Sequence, residues 1–137
     1  MAPETTNATM GPPPQMVLEA VEESVADART FARQFVDFTL TDMGGEQLDD
    51  FLLVVSELVT NAVRYGTEPG DCLRVVLDAA PGLARVEVHD TRRRRPHFKP
   101  VSEERQRGRG LFIVDALAKW GVDDRPFGKI IWAEVTW

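Results

Sequence analysis

A single cysteine, Cys72, stands in a chain of 137 residues. It has no partner for a disulfide within the chain and no second thiolate for a cysteine-type zinc site, so a reduced, cytoplasmic setting is expected. Positive charge is also scarce: 16 Lys and Arg against 22 Asp and Glu leave a net charge of −6. A chain of that sign repels a polyphosphate backbone as a whole, which argues against direct nucleic-acid binding and confines any anion binding to a local patch. No apolar run approaches the roughly 18 residues of a membrane span, and the N-terminal MAPETTNATMGPPPQ has neither a basic nor an apolar region. Neither a membrane contact nor an export signal is expected.

What is present is enough apolar residue, 43% of the chain, for one core and one domain. Residues 1–14, rich in Pro, Thr and Ala, predict a disordered tail, because they have too little apolar surface to offset their ordering entropy. The domain is expected over 15–137. A short strand is predicted at 15–21. Ser24, with Asp27 three positions on, resembles a capping box and predicts a helix from there, with Val25, Ala28, Phe31, Ala32, Phe35 and Phe38 spaced by three and four and Gly44-Gly45 as its stop. A second helix is predicted from Glu46 to about Tyr65, on whose apolar face lie Leu48, Phe51, Leu52, Val55, Leu58, Val59, Ala62 and Val63, with Gly66 ending it. Segments 73–80 and 84–90 alternate moderately around Pro81-Gly82 and predict an antiparallel hairpin. Segment 91–107 has no period and reads as a long surface loop. GLFIVDALAKWG (110–121) reads as a helix, and GVDDRPFGKIIWAEVTW as a hairpin turning at Phe127-Gly128. Hairpin-paired strands with helices grouped to one side make an α+β two-layer sandwich.

Three constellations could carry chemistry. In SELVTNAVRYG, Glu57, Asn61 and Arg64 recur at i, i+4 and i+7, one edge of a helix. A carboxylate, a carboxamide and a guanidinium there can orient a nucleophile, hold a hard cation through oxygen and neutralise phosphate, although a solvated helix face has the same spacing. In RGRGLFIV, Gly108 and Gly110 flank Arg109 ahead of a helix, the outline of a phosphate cradle or of ordinary loop-and-cap chemistry. Asp90, at the end of RVEVHD, is a strand-end acceptor for an exocyclic amine or else a turn aspartate. Arg92 to Arg95 follow it directly. His89 and His97 flank the loop and read as surface groups rather than catalytic ones.

The order helix with E-x-x-x-N, strand ending in Asp, polar loop, then G-x-G opening a helix resembles the Bergerat-fold ATP-binding superfamily of gyrases, Hsp90-type chaperones, MutL and histidine kinases. VVSELVTNAVRYG, VEVHD, GRGLFIVDALAKWGV and GKIIWAEV are most similar to the small anti-sigma-factor serine kinases of Gram-positive bacteria, actinobacterial members above all. The resemblance implies a mixed, mostly antiparallel sheet covered by about three helices, and ATP and Mg²⁺ as cofactors. Residue by residue, it implies that Glu57 is the general base, that Asn61 ligates the Mg²⁺ bridging the phosphates, and that Asp90 reads the adenine amine. Gly108, Arg109, Gly110 and Leu111 then fall at the end of the ATP lid, and Arg64 is a phosphate or acceptor contact. The implied activity is a serine protein kinase and anti-sigma factor that phosphorylates an antagonist protein, with the sigma factor and the antagonist as partners and a homodimer open to it. The resemblance departs in two places: Asp90 is followed by Thr91-Arg92-Arg93 where Asp-x-Gly-x-Gly is usual, and the late Gly-Thr element stands as Gly128-Lys129-Ile130, where isoleucine cannot donate the hydrogen bond that holds the aspartate. These departures keep a second reading open, a protein-binding regulator with a degenerate nucleotide site.

Overall fold

The computed structural model describes residues 13–40, 42–91, 111–126 and 128–137. The chain runs β1 (Gln15–Glu19), α1 (Ser24–Thr39), α2 (Gly45–Asn61) with a π-helical turn (Ala62–Gly66), β2 (Cys72–Ala80), β3 (Leu83–Asp90), α3 (111–117), β4 (Lys119–Arg125) and β5 (Gly128–Thr136). The strands form one sheet in the order β1-β2-β3-β5-β4. All four described pairings are antiparallel, in line with the mostly antiparallel sheet expected. At the N-terminal edge the carbonyl of Pro14 accepts the Leu77 N–H at 2.7 Å, next to the β1–β2 ladder.

Period-two burial decides which face is which. Along β3, Ala84, Val86, Val88 and Asp90 are buried, while Arg85, Glu87 and His89 are half-buried on the opposite face. The buried side meets the helices: α1 lies over β1 and β2, α2 over β3 and β5, and Val114 of α3 is fully buried in the same core. Phe31 and Phe35 of α1, Phe51 and Leu58 of α2, and Leu73, Leu77, Val86 and Ile131 of the sheet form its bulk. The two-layer α+β sandwich follows directly from this one-sided burial.

Three local expectations need correction. Ser24 is the first residue of α1, not its cap; its hydroxyl donates to the Glu19 carbonyl at 2.7 Å, tying the helix start to the end of β1. Gly44-Gly45 do not stop α1, which ends at Thr39 as Leu40 turns extended; Gly44 instead caps the start of α2. The helix predicted through Gly121 ends at 117, because Lys119, Trp120 and Gly121 pair with Glu134, Ala133 and Trp132 of β5. Ladder hydrogen bonds to a long neighbouring strand outweigh the weak helical preference of those residues.

The outward face of the sheet carries a polar ladder. The Arg85 guanidinium sits 4.7 Å from the Trp132 ring centroid and bonds Glu87 at 3.0 Å and Glu134 at 2.8 Å. Glu87 also meets His89 Nε2 at 2.9 Å, and Arg125 Nη1 lies 2.9 Å from His89 Nδ1. An arginine can only donate, so Nδ1 accepts and Nε2–H donates to Glu87. Burial pushes the Glu87 carboxyl up, but the His89 and Arg85 hydrogen bonds outweigh it and hold it below its usual value. Trp120, by contrast, is on the helix side, where its indole N–H donates to Asp115 of α3 at 3.0 Å.

Candidate nucleotide site

The site is assembled where α2 ends and β3 ends. Glu57 and Asn61 are both half-buried and one helical turn apart, so they share an edge of α2. Beyond Asn61 the helix widens into the π-helical turn, a feature that frequently marks functional positions. Widening leaves carbonyls without their usual partners, and Thr67 supplies one: its buried hydroxyl lies 3.1 Å from the Ala62 carbonyl and 3.3 Å from that of Val63. The turn therefore ends at a fixed place, and Gly66 is set down against Asp90.

Asp90 is only 2% exposed. Three neighbours shape its surroundings. A methyl on Gly66 would lie 2.9 Å from the Asp90 Cγ, so only glycine lets the α2 turn come this close. Gly128, with φ +151°, passes the Asp90 main chain so tightly that a side chain there would run into its carbonyl group. Lys129, opposite Asp90 in the β3–β5 register, places its ammonium 2.7 Å from Oδ2, and its N–H faces Oδ1 at 3.4 Å. Among the described residues it is thus Lys129 that holds the aspartate, one position before the Ile130 that local motif reasoning singles out. The signal that could have found it was the register itself, which sets residue 129 beside residue 90.

The loop after the turn is fastened to the same place. Asp71 accepts the Glu68 N–H at 2.8 Å and the Thr91 hydroxyl at 2.9 Å, joining the segment that leaves the π turn to the residue after Asp90. A cavity of about 230 Å³ opens at this end of the sheet, its lining including Leu73, Arg74, His89, Asp90, Thr91 and Arg125.

Of the remaining candidates, Arg64 reaches toward the start of α1, 3.9 Å from Glu22, both side chains well exposed, beside a cavity of about 210 Å³ that Val25, Thr60 and Val63 also line. Such an exposed pair contributes little to stability. Leu111 opens α3 and is half-buried. Gly108, Arg109 and Gly110, the run Arg92–Arg95 and His97 lie outside the described residues. Among the described residues no group of three His, Cys, Asp or Glu gathers as a metal site, and no helix is long and apolar enough to cross a membrane.

Chemically, a buried carboxylate packed beside two glycines suits an amine donor, and a carboxamide beside a carboxylate on a helix edge suits a hard cation shared with a ligand's oxygens. Compared with known families, residues 18–132 match the one described as histidine kinase-like ATPase domain. No curated protein matches the chain.

Proposed function

The chain belongs to the histidine kinase-like ATPase family, and on that premise we propose that it is an ATP- and Mg²⁺-dependent serine protein kinase that also acts as an anti-sigma factor, phosphorylating an antagonist protein in a partner-switching pair. The observation that carries this reading is the junction of Gly66 and Asp90: the helix bearing Glu57 and Asn61 ends directly on the strand-end carboxylate. The base-reading group on β3 and the phosphate-side groups on α2 are thereby brought to one junction of two elements.

In this reading Asp90 accepts the exocyclic amine of adenine. Asn61 offers its side-chain carbonyl to Mg²⁺, with Glu57 one turn away. One protein oxygen is no cage, but Mg²⁺ is ordinarily held by one or two protein ligands together with the phosphates themselves. Bound ATP would supply the γ-phosphoryl group, ADP leaving as the serine oxygen bonds to phosphorus, and the cation would offset the phosphate charge. Glu57 takes the proton of the acceptor serine hydroxyl, and its half-buried position keeps it within reach of a protein substrate. Glycine at position 66 is what lets the α2 turn rest against Asp90, where a β-carbon would run into the carboxylate.

The test uses the full chain, radiolabelled ATP, Mg²⁺ and the cognate antagonist. Label should pass to a serine of the antagonist. Glu57→Gln should lower that rate by at least about 100-fold, in line with loss of a general base, while nucleotide affinity stays within about twofold. Full phosphorylation by Glu57→Gln would remove the base assignment, and failure of the wild-type chain to bind ATP would remove the kinase reading altogether.

A further inference from the structure

The Asp90–Lys129 pair is the most enclosed ion pair among the described residues, with side chains 2% and 14% exposed. We propose that Lys129 is a positioning residue of the base site: its ammonium fixes the Asp90 carboxylate as the acceptor for a purine's exocyclic amine, so that preference for an amine-bearing base resides in the two residues together. The inference rests on the nucleotide reading above.

Its argument is geometric. One residue addresses both carboxylate oxygens, the ammonium at 2.7 Å from Oδ2 and the main-chain N–H at 3.4 Å from Oδ1. The short contact is charge-assisted, and a lysine side chain at 14% exposure keeps its head on the carboxylate instead of reaching for water. Gly66 above and Gly128 beside leave the carboxylate little room to turn. A carboxylate offers about four acceptor positions, so Asp90 can serve Lys129 and a base amine at once. Stability alone is a weak reason for such a pair, because a buried ion pair replaced by apolar groups of similar volume is often no less stable. The lysine's more particular effect is on the direction in which Asp90 accepts.

Calorimetry on the full chain with three Mg²⁺-loaded ligands separates the contributions: ATP, purine riboside triphosphate, which lacks the 6-amine, and inorganic tripolyphosphate. The wild-type protein should prefer ATP to purine riboside triphosphate by about tenfold or more, the worth of a hydrogen bond to a charged group. Lys129→Met should bring that ratio close to one and leave tripolyphosphate affinity unchanged, a pattern that a merely loosened fold would not produce. Lys129→Gln, which keeps an N–H donor at similar reach, should retain part of the preference, and it carries the test if the methionine variant fails to fold. A wild-type ratio in Lys129→Met, or tighter ATP binding by it, overturns the proposal. If Asp90→Asn abolishes the preference while Lys129→Met preserves it, the nucleotide reading stands and the lysine inference falls. If the wild-type protein does not distinguish the two nucleotides, both fall.

Discussion

Replacing Gly66 with alanine adds one methyl where the structure has no space for it. Carbon atoms pack at about 3.5–4.0 Å, whereas this methyl would stand 2.9 Å from Asp90 Cγ and 3.1 Å from its Cβ. Gly66 is not among the positive-φ glycines, so alanine suits its backbone and the effect is steric alone. Asp90 cannot simply retreat, since Lys129 holds Oδ2 and Gly128 abuts its carbonyl. If the π turn shifts instead, overpacking costs about 1–3 kcal/mol. If Asp90 is driven off Lys129, a buried charge loses its partner at about 3–5 kcal/mol. At about 4 °C per kcal/mol for a domain of this size, the melting temperature should fall by at least about 4 °C. ATP affinity should fall further than tripolyphosphate affinity. Gly45→Ala is the matched control: its methyl would meet nothing within 4 Å, at the first residue of α2, and it should leave stability unchanged or slightly higher. Urea and thermal unfolding with parallel ATP titrations check this. A Gly66→Ala protein as stable as wild type, with wild-type ATP affinity, would refute the close packing of the α2 turn on Asp90.

The outward ladder gives a pH-dependent prediction. Glu87 sits below its usual value of 4.5 in the folded chain, so its stabilising contribution is present above that pH and is lost as pH falls through the lowered value. Glu87→Gln should therefore be less stable than wild type at neutral pH, with the gap closing as pH falls below the usual carboxylate range, as read by urea unfolding across pH. The core gives another: Leu58 is wholly buried in the core between α2 and the sheet, and Leu58→Ala should cost about 2–5 kcal/mol in the same assay. A cost below about 1 kcal/mol would mean that α2 is not packed as described.

Periodicity made most of this molecule legible in advance. The apolar spacing of 46–63 and the alternation of 84–90 are strong because each element has one buried face, and a one-residue slip would expose the whole set. Where the reading failed, a partner outside the element itself decided the outcome. The Ser24 hydroxyl has both a helix N–H and the Glu19 carbonyl within chemical reason, and only the β1–α1 junction selects the second. Lys119-Trp120-Gly121 satisfy a helical pattern until β5 offers a ladder. The site follows the same rule. The candidates Glu57, Asn61 and Asp90 could be named from local motifs, since helix spacing and a strand end are properties of neighbours in sequence. Lys129 could not, because a lysine between glycine and isoleucine has no local signature. Its meaning arises from the β3–β5 register, which puts residue 129 against residue 90 across 39 positions of chain. Comparison with what a family usually has at each place registers Ile130 as a missing threonine and gives the lysine before it no meaning. Hydrogen-bond chemistry asks only for a donor within reach of the carboxylate, and an ammonium at 2.7 Å satisfies it with a full charge. The departure that argued for a degenerate site therefore leaves Asp90 held, and the base site has to be judged on the donor that is there.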